Sequence, residues 1–163
     1  MSNKGPEINA SLLRAVFKSG LLVGSLDILA AFASAWLQHK TPPERVLQYI
    51  SSAVYGPQAY SGNVQYTSMG LLFHYLVALG FTLFFYLLYP TFGWLRKNKI
   101  LAGLLYGFFM WAVMSQLVLP LTQVPPLQFT MKGVVISVLI LTAAIGIPLA
   151  YLADKFYYRK NEV

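Results

Sequence analysis

Residues 19–37 read SGLLVGSLDILAAFASAWL. One charged side chain, Asp27, interrupts a run that is otherwise apolar or small. A helix rises about 1.5 Å per residue, so a run of this length crosses most of a hydrocarbon layer about 30 Å thick. Arg14 and Lys18 precede it. Their long side chains can reach back to a headgroup layer, so the helix is expected to begin near Ser11 and the span to cover 12–37. Ala31-Phe32-Ala33 and Ala33-Ser34-Ala35 have the form of signal-peptide cleavage sites, but a carboxylate in mid-run opposes that reading.

Three further runs have the same character, at 69–89, 100–121 and 133–153. Of the 163 residues 57% are hydrophobic and only 10% charged, whereas a soluble domain carries about 25% charged residues. So few charges cannot clothe a water-facing surface. The expectation is a single all-α domain over 1–163, a four-transmembrane-helix bundle with the lipid bilayer as solvent. The chain has no cysteine, which excludes disulfides, thiolate metal sites, iron–sulfur clusters and a cysteine nucleophile. Its net charge of +7 sits at the ends of apolar runs, which points to membrane orientation and anionic headgroups rather than nucleic acid.

Nine of the twelve Lys and Arg residues fall on one side of these spans: Lys4, Arg14, Lys18, Arg96, Lys97, Lys99, Lys155, Arg159 and Lys160. Lys40, Arg45 and Lys132 fall on the other. The positive-inside rule then places both termini in the cytoplasm. Trp36, Tyr49, Tyr55, Tyr60 and Tyr66 are expected in the outer aromatic belt, and Tyr89, Trp94, Tyr157 and Tyr158 in the inner one.

The largest segment outside the spans is 41–66. Thr41-Pro42-Pro43-Glu44 has the form of a helix start, with a cap, prolines in the first turn and an acid three residues on. Val46, Leu47, Ile50, Ala53 and Val54 then share one helical face, while Gln48, Ser51 and Ser52 lie elsewhere on the wheel. This predicts an amphipathic helix over 42–55, too short to span, resting in the outer interface or covering the mouth of the bundle.

The chain also carries a possible repeat of a two-helix hairpin. Gly20-Leu21-Leu22-Val23-Gly24 returns as Gly103-Leu104-Leu105-Tyr106-Gly107, and Pro42-Pro43 as Pro125-Pro126, both at an offset of 83. Thr67 and Gly70 match Thr130 and Gly133 at an offset of 63. Both halves would run in the same direction, a parallel repeat. Gly20, Gly24, Gly103 and Gly107 are read as helix-packing positions, since small residues spaced four apart let two helices approach closely.

Polar residues inside the spans are the functional candidates. A carboxylate at mid-span costs about 2.5–3.5 kcal/mol on insertion scales, so Asp27 should face protein or water. Gly20, Gly24, Asp27, Ala31, Ser34 and Gln38 form one small or polar stripe around it. His74 on the second span falls at a similar depth and is the expected partner, with Ser115 and Gln116 on the third span and Ser137 on the fourth at comparable levels. Together they are read as a candidate binding site for a proton or cation; a buried Asp–His pair that fixes helix register is the alternative. His39 and His74 differ in depth, so haem ligation is not expected, and neither a cofactor nor a metal is called for. No Ser–His–Asp order, zinc spacing, phosphate loop or paired-carboxylate motif gives positive support for an enzyme.

Residues 20–90 resemble small bacterial inner-membrane proteins of the YagU type. The resemblance lies in Gly24 with Asp27, Pro43-Glu44-Arg45-Val46-Leu47-Gln48, Gly56 with Gly62, and Gly70-Leu71-Leu72-Phe73-His74. It implies a multi-pass protein of the bacterial cytoplasmic membrane and a loose tie to acid stress, and supplies no catalytic residue. Two functions are therefore expected to compete. One is a small transport or permeability protein for an ion or small solute, acting as a homo-oligomer because four short spans leave little internal volume. The other is an accessory subunit that packs on a larger membrane-protein partner through its small-residue seams.

Overall fold

The structure, a computed structural model, describes residues 8–124 and 130–158; Lys4, Pro125, Pro126, Arg159 and Lys160 lie outside the described residues. Helix α1 covers Ala10–His39, α2 Pro43–Tyr55 and α3 Val64–Leu88. A short α4, Gly93–Lys97, leads into α5, Lys99–Leu121, and α6 covers Met131–Tyr157. No strand occurs among the described residues. Helices α1, α3, α5 and α6 are each long and apolar enough to cross a membrane. The fold is an all-α four-helix bundle, the architecture of a multi-pass membrane protein.

Local chemistry sets the helix ends. The Asn9 side chain accepts from the Leu12 amide at 2.9 Å and so starts α1 close to the expected Ser11. At the other end Lys40 adopts φ 53°, and its N–H returns to the carbonyls of Ala35 and Trp36. Helix α3 begins at Val64 rather than near 69, because Gly62 turns the chain with φ 84° and Asn63 caps the amide of Gln65 at 2.9 Å. Asn98 and Thr130 cap α5 and α6 in the same way. Helix α6 runs four residues past the expected Ala153, for a reason given below.

Helix α1 packs against α3 and α6, and α5 packs against α6. Glycines make the two closest seams. A Cβ at Gly20 would stand 2.6 Å from the Leu79 side chain, and one at Gly24 would stand 3.1 Å from Ala78 and Tyr75, all on α3. A Cβ at Gly103 would stand 2.6 Å from the Ile147 nitrogen, and one at Gly107 would run into Thr142, both on α6. Each glycine pair thus packs on the next spanning helix of its own half, as a hairpin repeat requires. The matched Gly70 and Gly133 are used differently, since Gly70 receives the Leu47 carbonyl of α2 while a Cβ at Gly133 would meet only the Thr130 hydroxyl, its own cap.

Two spanning helices contain a wide turn. In α5 the Leu119 N–H reaches back five residues to the Met114 carbonyl, and in α6 the Ile147 N–H reaches Thr142 in the same way. The α6 turn contains Gly146, whose backbone lies on that of Gly103.

Helix α2 departs from the sequence reading in which face it buries. Leu47, Gln48, Ser51 and Ser52 are buried, and Val54 is 53% exposed. The polar side packs inward because its groups are small and mostly self-satisfied. The Ser51 hydroxyl donates to the Gln48 carbonyl at 3.1 Å and the Ser52 hydroxyl to Tyr49 at 2.7 Å. Gly70 opposite lets the backbones touch. Beyond α2, the Gln123 side chain donates to the Val54 carbonyl at 2.8 Å, which ties the end of α5 to the end of α2.

Candidate functional site

The two ends of the bundle differ. The end that carries Arg96 and Lys99 is the solid one, with Phe85, Tyr86, Tyr89, Leu149, Ala150 and Ala153 in its core and only a smaller lateral hollow of about 240 Å³ beside Leu95 and Ala102. The end roofed by α2 holds a cavity of about 760 Å³. Four short spans therefore surround a larger, partly open hollow than the sequence suggested. Large aromatic side chains set the spacing of α3 and α5, with Phe84 stacked on Phe109 at 5.6 Å and the Tyr106 hydroxyl donating to the Phe81 carbonyl at 2.6 Å. Nothing of that size fills the gap farther along, where Val77 and Val118 line open space.

The stripe on α1 divides between two tasks. Gly20 and Gly24 pack on α3, while Asp27, Ala31, Ser34 and Gln38 line the cavity. Asp27 thus sits where packing gives way to open space. Among the described residues no hydrogen bond or ion pair reaches its carboxyl group. His74 lines the same cavity, but its Nε2 lies 2.9 Å from the Gly24 carbonyl. The expected direct imidazole–carboxylate pair is not formed. The imidazole instead bridges α3 to the α1 backbone, one turn from Asp27.

Ser137 of α6 lines the cavity too, as do His39 at the end of α1 and Tyr49 of the roof. The Tyr49 hydroxyl is buried without a partner among the described residues. Burial, reinforced by Tyr60, pushes this phenol up to about 12, so it stays a hydrogen-bond donor at neutral pH. Ser115 and Gln116 are not brought to the site. The Ser115 hydroxyl donates to the Trp111 carbonyl at 2.7 Å, and Gln116 is exposed with its amide 3.4 Å from the Ser115 oxygen. The wide turn beginning at Met114 presents Met114 and Val118 to the cavity instead.

Asp27 and the two histidines are the ionisable side chains of the cavity wall besides Tyr49, and no Lys or Arg among the described residues lines it. The described residues contain no group of three His, Cys, Asp or Glu able to hold a metal ion. The arrangement is a largely apolar chamber with one unpaired carboxyl group, a fixed imidazole and a free phenol. That chemistry suits a positively charged guest of modest size.

The solid end holds a second buried acid that the sequence reading passed over. Asp154 is 6% exposed. It accepts from the Tyr89 hydroxyl at 3.2 Å, lies 3.2 Å from the Lys99 ammonium and 4.0 Å from Arg96 Nε. The Arg96 guanidinium stands 4.2 Å above the Tyr158 ring. These contacts carry α6 past Ala153. They also place Tyr89, expected in an aromatic belt, in the core at 1% exposed. Ser19 and Tyr86 share a hydrogen bond of 2.8 Å, and the Tyr157 hydroxyl donates to the Tyr86 carbonyl at 2.7 Å. A usable signal for Asp154 existed: Gly146, Ala150, Ala153 and Tyr157 form a stripe spaced four, three, four, and Asp154 adjoins it.

No family model matches the chain, and no curated protein or solved structure is found to be similar to it.

Proposed function

We propose that this protein is a small transport or permeability protein of the bacterial cytoplasmic membrane, with both termini cytoplasmic, that takes a small cation into the chamber under α2. The observation that carries the reading is the unpaired Asp27 carboxyl group on the wall of a cavity of about 760 Å³. A carboxyl group kept inside an apolar bundle is costly and has a purpose when a cation or proton neutralises it in use. A register-fixing role would require a partner for it, and His74 is engaged with the Gly24 carbonyl instead.

The orientation rests on the clustering of Arg14, Lys18, Arg96, Lys97, Lys99 and Lys155 toward the solid end. The chamber then opens toward the outside. The walls of the chamber come from one chain, so this reading does not call for a homo-oligomer to create volume. The accessory-subunit reading loses its main support, because Gly20, Gly24, Gly103 and Gly107 are used within the chain.

The test is flux of tetramethylammonium into liposomes containing the full chain. Wild type is expected to admit the cation above the rate of empty liposomes. Asp27→Asn is expected to fall at least tenfold toward that baseline while its thermal unfolding in detergent stays unchanged. Equal flux through wild type and Asp27→Asn would refute the reading.

A further inference from the structure

The Asp27 chamber is not closed on the side between α3 and α5. A second hollow of about 380 Å³ lies there, lined by Val77, Gly80, Phe81, Phe84, Phe109 and Val113. It shares Val77, Phe81, Met114 and Val118 with the chamber, so the two adjoin across these side chains. On α3, Val77 and Phe81 lie three and seven residues past His74, about 5 and 10 Å farther from the roof. The passage therefore slopes from the polar residues toward the middle of the apolar belt. Its walls are hydrocarbon and aromatic rings, its open side is the lateral face of the bundle, and its inner end meets a carboxyl group.

A water-borne cation has no use for such a passage, while an amphiphile matches both parts. We propose that the guest of this chamber is a single-chain amphiphilic ammonium that enters from the lipid side between α3 and α5, with its cationic head at Asp27 and its alkyl chain along Val77, Gly80 and Phe81. This deepens the proposed function and rests on Asp27 as the cation site. Charge complementarity selects the head, since the chamber wall has one carboxyl group and, among the described residues, no Lys or Arg. The apolar hollow that adjoins the chamber on its lateral side selects the tail. Three features form the passage. Gly80 leaves its side of α3 bare, the wide turn at Met114–Val118 displaces α5, and the Phe84–Phe109 stack closes the far end.

Gly80 also supplies a clean test. A Cβ built there meets nothing within 4 Å, so the backbone tolerates substitution, and a large side chain at this position of the hollow's wall would compete with a guest for the space. Binding of butyl-, octyl- and dodecyltrimethylammonium would be measured on the full chain in nanodiscs, with empty nanodiscs subtracting partition into lipid. Wild-type affinity is expected to rise with chain length, at least tenfold from butyl to dodecyl, and to depend on Asp27 throughout. Gly80→Trp is expected to abolish the rise while leaving butyltrimethylammonium binding unchanged.

Dodecyltrimethylammonium binding unaffected by Gly80→Trp, or a wild-type affinity that does not vary with chain length, would overturn the lateral passage. Either result, with butyltrimethylammonium still dependent on Asp27, would leave the cation chamber standing. If no member of the series binds in an Asp27-dependent way, both the passage and the chamber reading fall.

Discussion

Two acids, Asp27 and Asp154, occupy opposite ends of one bundle and teach opposite lessons. Asp154 is surrounded by Tyr89, Lys99 and Arg96 and ties α6 to the end of α3 and the start of α5. Among the described residues no hydrogen bond or ion pair reaches Asp27, whose charged neighbour is His74, and it faces a cavity. A fully engaged buried charge is a structural device, and removing one side of it leaves the others uncompensated. An unengaged one contributes little to stability and is available to a guest. The surroundings follow the same division. The solid end is closed by aromatic rings and cross-helix hydrogen bonds, whereas the roofed end is a shell of α2 over open space.

This contrast can be broken most severely at the solid end. Gly146→Val would drive a side chain into the Gly103 carbonyl, where backbone faces backbone and neither can yield. The expected result is loss of the folded bundle, seen as aggregation on size-exclusion chromatography in detergent, at a cost of more than about 3 kcal/mol. Asp154→Asn keeps a polar group near Tyr89 but removes the countercharge of Lys99. We expect about 1–3 kcal/mol of destabilisation, read as a lower thermal unfolding midpoint. An Asp154→Asn protein as stable as wild type would erase the distinction between the two acids.

The roofed end should respond locally. Gly70→Ala sets a methyl group against the Leu47 carbonyl and should lift α2 from α3. The expected readout is faster hydrogen exchange in 43–55 with protection of 145–154 unchanged. The smallest destabilisation is expected for Asp27→Asn, which breaks no hydrogen bond or ion pair among the described residues and removes a costly charge, so the unfolding free energy should not fall. A large destabilisation there would make Asp27 a structural residue after all and remove the ground for a chamber.

The four spans were legible because the bilayer demands long apolar runs and the sequence contains four of them. The glycine seams were legible as well, since the spacing of Gly20 with Gly24 and Gly103 with Gly107 admits few other uses. The face of α2 was not. Amphipathic reasoning assigns polar residues to solvent, whereas Ser51 and Ser52 satisfy their own hydroxyls on the preceding turn and can enter a tight contact opposite Gly70. For the polar site, depth along the helices brought Asp27, His74 and Ser137 to one chamber. It failed for Ser115 and Gln116, because depth says nothing of azimuth and a wide turn begins beside them at Met114. Asp154 was missed because it adjoins Lys155 at a helix end, where a charged residue ordinarily belongs to the solvated tail.

The wide turn in α6 uncouples chain length from angular bearing. A five-residue return accommodates one residue more than a regular turn, and each residue of an α-helix advances the face by about 100°. Deleting Ala143 would let the helix close regularly and leave the bearing of everything from Ile147 to Tyr157 unchanged, because Ile147 already bonds to Thr142 as the fourth residue of a regular turn would. Asp154 would stay beside Lys99, whereas the same loss from a regular turn, at Leu149, would swing Asp154 away from Lys99 by about 100°. A single codon lost from this turn would thus leave the solid end untwisted, and the wide turn serves as slack that takes up one residue without changing which side chains the terminal three turns present inward.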